Sequence, residues 1–146
     1  MSVPKLITGS TYADDRGILT FNNDLSLSGT KRSYFMSGDK GMIRAWHGHK
    51  IESKVIQCVS GRVRIYAVNM DAYEKDPISD INRFYLIPNG NAVYIPKVYY
   101  NGIQFLSDNS SIIVYSDTTV EESKADDYRL NWNACGVGIW NMEDYR

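Results

Sequence analysis

The sequence predicts an all-β protein built from antiparallel sheets. Short runs rich in valine, isoleucine, tyrosine and phenylalanine alternate with Gly, Pro, Asn and Asp along the 146 residues, a pattern typical of strands rather than helices. Turn residues separate successive runs at 60–61, 88–91 and 107–110, and an Asn–Gly step favours the positive φ angles of tight hairpins. Hairpins join antiparallel strands, so we expect a sandwich or barrel.

Nine segments have the composition of strands, and in chain order they are 18–22, 33–37, 42–49, 54–60, 62–69, 83–87, 92–95, 103–106 and 111–116. The polar segment 71–80 is expected to form a surface loop, and the acidic segment 118–127 has no strand pattern. Residues 131–146 contain Trp132 and Trp140 and are predicted to be held down by these aromatic side chains. We therefore expect one domain over residues 1–146, with 118–146 as a C-terminal tail packed on the barrel.

Composition narrows the functional class. Hydrophobic residues make up 43% and charged residues 23% of the chain, and the net charge is −1, so nothing draws the protein broadly to nucleic acid or to an anionic membrane. No apolar stretch approaches the roughly 20 residues that cross a bilayer. Cys58 and Cys135 lack metal-ligand spacing, and the first residues lack the apolar core of a secretory signal, which together predict a cytoplasmic protein.

The two histidines of the chain are one residue apart, at His47 and His49. Because side chains at i and i+2 of a strand share a face, both rings should point into the same space. Histidine transfers protons near neutral pH and is also the commonest metal ligand. The sequence thus predicts a functional site here, which either binds a metal or moves protons.

The surroundings of the histidines resemble the first sequence motif of the cupins, a family of double-stranded β-helix jelly rolls. Gly41, His47 and His49 have the spacing of that motif, and Glu52 and Gly61 follow at spacings that differ by a residue or two. The resemblance implies an antiparallel jelly roll.

The second cupin motif is only partly present. Gly90 and Pro96 match it, but Val98 stands where a glycine is expected, Asn101 where a histidine is expected and Phe105 where an asparagine is expected. Two motif nitrogens then remain where a catalytic metal usually has at least three protein ligands. We therefore expect proton chemistry without a metal or another cofactor.

A closer resemblance covers most of the chain. Segments 15–17, 41–47, 53–63, 95–96 and 115–119 occur in the order and approximate spacing of the motifs of the dTDP-4-dehydrorhamnose 3,5-epimerase family. The ordered set is more specific than any one segment. The resemblance implies a homodimeric isomerase that epimerises a nucleotide-linked 4-keto-6-deoxy sugar next to its ketone, in bacterial surface-polysaccharide or glycosylation pathways.

The same resemblance implies residue roles. His47 would remove the proton next to the ketone, Lys54 would stabilise the enolate and Tyr115 would return a proton from the opposite face. Arg44 and Arg16 would hold the diphosphate of the sugar nucleotide, Arg16 from a neighbouring subunit. Each residue also has a structural interpretation, since a lysine can guard a strand edge and most of the 11 tyrosines must pack or lie on the surface.

Two positions depart from the family pattern or stay unassigned. Asn101 replaces a histidine that is expected to contact substrate, and we retain it as a substrate-binding candidate. The carboxylate partner that the family's base has late in the chain is Glu143 or Asp144 here, and the spacing does not choose between them.

Alternative functions depend on His49. The run His47 to Lys50 also resembles the H-A-H-K element of the dTDP-sugar 3,4-ketoisomerases, cupins of nearly this length in which both histidines handle protons. Segments 54–58 and 115–119 favour the epimerase over the ketoisomerase. A cupin that only binds a sugar or nucleotide is the alternative of another class, for which Asn101 is the main argument, and a metal-dependent cupin enzyme is the third.

Overall fold

The computed structural model describes residues 2–76 and 80–140. Its strands are β1 (Lys5–Ile7), β2 (Ser10–Asp14), β3 (Gly17–Phe21), β4 (Arg32–Gly38), β5 (Ile43–His49), β6 (Lys54–Ser60), β7 (Val63–Asn69), β8 (Ile81–Leu86), β9 (Ala92–Ile95), β10 (Tyr99–Phe105), β11 (Ser110–Ser116) and β12 (Tyr128–Arg129). Helices α1 (Met70–Lys75) and α2 (Val120–Ala125) and a 3-10 turn (Val137–Ile139) complete the secondary structure of the described residues.

Two five-stranded sheets face each other. The first sheet has the strand order β1-β9-β6-β11-β4 and the second sheet the order β12-β5-β10-β7-β8, and every pairing in both is antiparallel. Strands β2 and β3 form a separate hairpin. The predicted all-β, antiparallel jelly roll is confirmed, and each of the nine predicted strands has a counterpart.

The main core lies between the sheets and is made of the inward residues of alternating strands. Ile56 and Ile112 of the first sheet and Ile65 and Ile103 of the second are nearly or fully buried there. Strand β11 shows the alternation directly, since every second residue from Ser110 to Ser116 is buried. One face of each strand therefore fills the sandwich, and the polar inward residues at one end of the strands form a cavity.

A second aromatic cluster covers the outer face of the second sheet. Trp46 and Tyr66 pack there against Trp140, with ring centroids 5.5 and 5.0 Å from it. The indole N–H groups of Trp46 and Trp140 both donate to the carbonyl oxygen of Trp132, each over 3.1 Å. The chain after β12 thus packs on the outer face of this sheet as far as residue 140. The domain assignment over 1–146 stays a prediction, because residues 141–146 lie outside the described part of the chain.

The two short helices differ from the expectation of irregular structure. The Asn69 side chain accepts from the backbone N–H groups of Asp71 and Ala72 and so begins α1 inside the segment expected to be a loop. Thr119 and Glu122 form a capping box that begins α2 in the acidic segment. Among the described residues, no helix is long and apolar enough to cross a membrane.

Candidate active site

A cavity of about 230 Å³ opens between the two sheets at one end of the sandwich. Its walls come from β4, β5, β6, β10 and β11 and from the segment that contains α2 and β12. Its polar and charged lining residues are Arg32, Tyr34, Arg44, His47, His49, Glu52, Lys54, Asn101, Ser123, Lys124, Asp127 and Arg129. Five of the predicted site residues, Arg44, His47, His49, Lys54 and Asn101, therefore meet in one cavity.

A β-bulge brings Arg44 to the face of β5 that holds the histidines. His47 is paired with Asn101 of β10, whereas the next pair is Arg44 with Ile103, so two residues of β5 lie opposite the single residue Gly102. In a regular strand, residues three apart point to opposite faces. The extra residue reverses the parity, and Arg44 and His47 both line the cavity.

Strand β5 also needs a glycine between its two histidines. Gly48 points to the outer face, where the ring of Tyr100 lies so close that a Cβ atom on residue 48 would be 2.5 Å from it. The outer aromatic cluster therefore packs directly against the backbone of β5. This packing fixes the strand from which His47 and His49 enter the cavity.

His47 is held in its neutral form. Burial, together with the positive charges of Arg129, Lys54 and Arg44, lowers the pKa of His47 to about 4, and the carboxylate of Asp127 only partly opposes this shift. At neutral pH the imidazole is therefore unprotonated on one nitrogen and is able to accept a proton.

Glu52 is a buried carboxylate in the lining of the cavity. Its Oε1 accepts from Arg32 Nη2 at 2.7 Å, from the Ser116 hydroxyl at 2.9 Å and from the Thr118 hydroxyl at 2.7 Å. Burial acts to raise the pKa of Glu52, but the Lys54 ammonium, these hydroxyl groups and His49 outweigh it, and the pKa lies well below its ordinary value. Glu52 is ionised at neutral pH.

The other carboxylate oxygen of Glu52 faces two residues from different strands. Oε2 lies 3.2 Å from Lys54 Nζ and 3.3 Å from His49 Nε2. Lys54 is only 7% exposed, so the alternative that it guards a solvated strand edge does not describe its position. The ammonium is paired with a carboxylate and also lines the cavity.

His49 is fixed on both sides of its ring. Its Nδ1 lies 2.7 Å from the carbonyl oxygen of Asp126, which can only accept a hydrogen bond, so Nδ1 carries a proton. The carboxylate of Asp126 accepts from the backbone N–H groups of Lys50, Ile51 and Glu52 at 2.9, 2.8 and 3.2 Å. Asp126 therefore holds both the ring of His49 and the loop that carries Glu52.

Asn101 contributes an unpaired polar atom. It is 5% exposed, and its Oδ1 is buried without a hydrogen-bond partner. Native structures rarely leave such an atom unsatisfied, so a bound molecule that donates a hydrogen bond is a natural partner for it.

Two of the predicted site residues are not brought to this cavity. Tyr115 points from β11 to the outer face of the first sheet. There it lines a different cavity, of about 410 Å³, with Tyr94 and Lys5. Arg16 lies on the β2–β3 hairpin, is 84% exposed at its side chain and is paired with Asp14. Glu143 and Asp144, the candidate partners of the base, lie outside the described residues.

Sequence reasoning missed several residues that line the cavity. Arg32 and Tyr34 are two residues apart on β4, so their side chains share one face of the strand. This alternation could have placed them together once the strand was predicted. The guanidinium of Arg32 lies 5.0 Å from the ring centroid of Tyr34. Asp127 and Arg129 had no local signal, because only the tertiary fold brings the end of α2 and β12 beside β5.

Comparison with known protein families identifies the family of this chain. The family model described as WxcM-like, C-terminal (FdtA) matches residues 3–134. The chain belongs to this family. Comparison with curated proteins gives no match.

Solved structures share the fold. NovW of Streptomyces spheroides, a 4-keto-6-deoxy sugar epimerase, is similar with a TM-score of 0.79 and 16% identity, covering 98% of this chain and 77% of its own. The rmlC epimerase of Mycobacterium tuberculosis is similar with a TM-score of 0.76 and 18% identity, and the match covers 92% of this chain and 72% of the epimerase. A third similar structure is the 3,4-ketoisomerase QdtA of Thermoanaerobacterium thermosaccharolyticum, solved as a double mutant in complex with TDP. Its TM-score is 0.70 and its identity 23%, and the match covers 91% of each chain. The fold is the cupin jelly roll that these proteins share.

Proposed function

We propose that the protein is an isomerase that epimerises a nucleotide-linked 4-keto-6-deoxy sugar at carbon next to the ketone. The observation that supports this most directly is the cavity that brings the ring of His47 together with the cations of Lys54, Arg44 and Arg129. Burial and these charges lower the pKa of His47 to about 4, so the ring is neutral at neutral pH. A proton next to a ketone is removed by a base, and the negative charge moves to the ketone oxygen as the proton leaves. The site holds a base and the cations that such a charge needs.

His47 takes the α-proton, and Lys54 stabilises the oxygen of the enolate. His47 reaches the cavity from β5 of the second sheet and Lys54 from β6 of the first sheet, so a sugar between them has the base and the ammonium on different walls. Fixed charges in a site shielded from water stabilise an enolate more than mobile water does. The proton on His47 returns to solvent after the product forms, which restores the neutral base.

Inversion requires a proton from the face opposite the base. We assign this donor to Tyr34, whose phenol enters the cavity from β4 of the first sheet. Tyr115 was predicted for this role, but it lies on the outer face of the same sheet. The phenolate that remains takes up a proton from solvent before the next turnover. The guanidinium of Arg32 lies 5.0 Å from the ring centroid of Tyr34.

The nucleotide diphosphate binds at the mouth of the cavity. Arg44 is exposed there, and Arg129 and Lys124 line the same opening from the segment of α2 and β12. Arginine binds phosphate oxygens in a bidentate manner. Asn101 binds the sugar through its unpaired Oδ1, which accepts from a hydroxyl group. Legionella pneumophila RmlC has been solved with dTDP-4-keto-L-rhamnose, a ligand of the class proposed here.

A homodimer completes the proposal. The β2–β3 hairpin pairs only with itself among residues 2–76 and 80–140, and it exposes Tyr12, Ile18 and Leu19 at 59, 74 and 61%. Exposed apolar side chains on a hairpin favour burial against a second copy. Arg16 on this hairpin would then reach the site of the neighbouring subunit. Light scattering measures the oligomeric state of the wild-type protein and of Ile18→Asp. We expect a wild-type dimer and a monomeric Ile18→Asp whose circular dichroism spectrum is unchanged. A wild-type monomer would contradict the proposed dimer.

A 3,4-ketoisomerase is the second candidate function, and the position of His49 is the observation that favours it. Moving the ketone from C4 to C3 starts with the same removal of the C3 proton, but a proton then returns at C4. The C3 hydroxyl gives up its proton, and the C4 oxygen takes one to become a hydroxyl. His49 lines the same cavity as His47 and lies two residues further along the same strand. Two proton-transfer groups side by side suit two adjacent carbons.

One experiment separates the functions. The purified protein is incubated in heavy water with a panel of nucleotide-linked 4-keto-6-deoxy sugars, and the products are followed by NMR. Deuterium at C3, C5 or both without movement of the ketone indicates the epimerase, and a ketone at C3 indicates the ketoisomerase. Binding without exchange of any panel member would overturn both and favour a binding protein. Elemental analysis of the same sample tests for a bound metal. We also propose that the reaction takes place in the cytoplasm.

A further inference from the structure

Glu52 lies where the chain crosses from one sheet to the other. Residues 50–53 connect β5 of the second sheet to β6 of the first sheet. His49 is the last residue of β5, and Lys54 is the first residue of β6. The relative position of these two side chains across the cavity therefore depends on how this connection is held.

The connection is fixed at its backbone and at its one buried side chain. The carboxylate of Asp126 accepts from three consecutive backbone N–H groups, and the next one, of Ser53, donates to Asp117 at 2.8 Å. Glu52 points inward from this anchored loop with a side chain that is 0% exposed. A carboxylate held this way has little freedom to follow its partners, so the partners take their positions from it.

The two oxygens of Glu52 have different partners. Oε1 accepts from Arg32, Ser116 and Thr118, all of which come from β4, from β11 or from the turn after β11. Oε2 has no hydrogen bond of good geometry within the protein but lies 3.2 Å from Lys54 Nζ and 3.3 Å from His49 Nε2. Thus Oε1 anchors the carboxylate, and Oε2 faces the two groups that line the cavity.

We propose that Glu52 is a positioning residue for the isomerisation, which orients the Lys54 ammonium and the His49 ring toward the substrate through its Oε2. This inference rests on the proposed function for its catalytic consequence, but not for its geometry. Glu52 touches no substrate atom in this proposal, and its effect passes through Lys54 and His49. The negative charge of Glu52 also balances one of the two positive charges of Arg32 and Lys54. One net positive charge of these three residues therefore stays beside the enolate oxygen.

The geometry gives each ring nitrogen of His49 a definite neighbour. Nδ1 donates to the Asp126 carbonyl oxygen, and Nε2 faces the Glu52 carboxylate, with Asp126 Oδ2 the next carboxylate oxygen at 3.9 Å from Nδ1. Both ring nitrogens thus face oxygen atoms of fixed residues. A glutamine at position 52 would replace the charged oxygen that faces Nε2 with a neutral amide group of nearly the same shape.

The first test needs no substrate. The ring signals of His49 are compared by nitrogen-15 NMR in the wild-type protein, Glu52→Gln and Ser116→Ala, because the Nε2 signal reports the group that faces this nitrogen. His47→Asn assigns the signals, because the chain has only two histidines. Glu52→Gln is expected to shift the Nε2 signal of His49, and Ser116→Ala, which leaves Oε2 unchanged, is expected to shift it much less. Equal Nε2 signals in wild type and Glu52→Gln, or equal shifts in the two variants, would overturn the proposal.

The second test uses steady-state kinetics with the substrate that the heavy-water experiment identifies. Glu52→Gln is expected to lower kcat by roughly a hundredfold with KM changed by less than about threefold, because orientation of proton-transfer groups acts on the chemical step. Ser116→Ala is the matched control, since it removes a hydrogen bond to Oε1 and leaves Oε2 unchanged. Equal losses of kcat in the two variants would reduce Glu52 to a structural residue.

The two failures are distinguishable. If no panel sugar reacts, the proposed function fails, and the ring signals of His49 in the wild-type protein and the two variants still decide whether Glu52 holds the ring. If Glu52→Gln does not fold, Glu52→Asp, which keeps the charge but draws it away from Nε2, is compared in the same way. If the sugar reacts and the His49 signals are equal in wild type and Glu52→Gln, the positioning role fails while the function stands.

Discussion

Asn101 lies directly opposite His47 in the register of β10 and β5. The buried Oδ1 of Asn101 has no partner in the protein, and the neutral ring of His47 points into the same cavity. A sugar placed for proton removal by His47 therefore lies within the region that Asn101 reaches. The residue that departs from the family pattern in the sequence is thus at the centre of the site.

Asn101→Leu should separate stability from binding. Leucine has a similar size and no polar atom, so removing an unpaired buried oxygen is expected to leave the free energy of unfolding unchanged or slightly higher. Loss of the acceptor for a sugar hydroxyl should lower kcat/KM by about tenfold. Urea unfolding and steady-state kinetics measure the two effects. A strongly destabilised variant with normal kcat/KM would show that Asn101 is a structural residue.

His47→Asn should abolish the exchange of substrate protons with solvent. The amide cannot act as a base near neutral pH, and loss of a general base costs roughly 10²- to 10⁴-fold in rate. Folding should be retained, because the wild-type ring is neutral and half-buried. Deuterium incorporation measured by NMR checks the rate, and circular dichroism checks the fold. Exchange at the wild-type rate would remove His47 from the mechanism.

The same variant tests the pH dependence of stability. The folded-state pKa of His47 is about 4, below the ordinary value of 6.5, so the unfolded chain binds more protons between these values. Stability should therefore rise with pH across this window and fall as the pH drops through it. The lowered pKa of Glu52 adds an effect of the same sign at more acidic pH. Urea unfolding at several pH values should show a smaller rise from about pH 4.5 to 6.5 in His47→Asn.

The sequence predicted most of the fold because the strands have strong local signals. Strands β6 and β9 have the predicted bounds, and the other seven counterparts differ at one or both ends. The missed strands β1, β2 and β12 are short or exposed, and their pairing depends on distant partners rather than on local composition.

The sequence predicted the site residues only where alternation along a strand showed which face a side chain occupies. The alternation correctly placed His47 and His49 on one face. Arg44 joins them only through the bulge, which a linear pattern does not show. Tyr115 lies in a segment with apolar residues at both parities, Ile112 to Val114, so alternation gave no basis for choosing its face.

Arg129→Ala should raise the pKa of His47. After burial, the charge of Arg129 is the largest influence that lowers this pKa, and its removal favours the protonated ring. The acidic limb of the kcat/KM profile should then move to higher pH, because the base must be neutral to act. NMR titration of His47 measures the shift directly. Lys50→Ala is the control, since Lys50 stacks over Tyr128 and is not among the charges that act on His47. Equal pKa values in wild type and Arg129→Ala would contradict the charge argument.

Trp140→Phe tests how the chain after β12 is fastened to the sheet behind the site. The indole N–H groups of Trp46 and Trp140 share the carbonyl oxygen of Trp132, so the variant removes one donor while the acceptor keeps the other. The lost hydrogen bond costs about 1 kcal/mol, and the smaller ring adds a cavity cost of similar size.

We therefore expect Trp140→Phe to lower the free energy of unfolding by about 1–3 kcal/mol. The value of kcat should stay close to wild type, because Trp140 packs on the outer face, where it lies against Trp46 and Tyr66, and does not line the cavity. Denaturant unfolding and steady-state kinetics provide the two readouts. A large loss of kcat at unchanged stability would mean that this cluster controls the bulge of β5, on which the position of Arg44 depends.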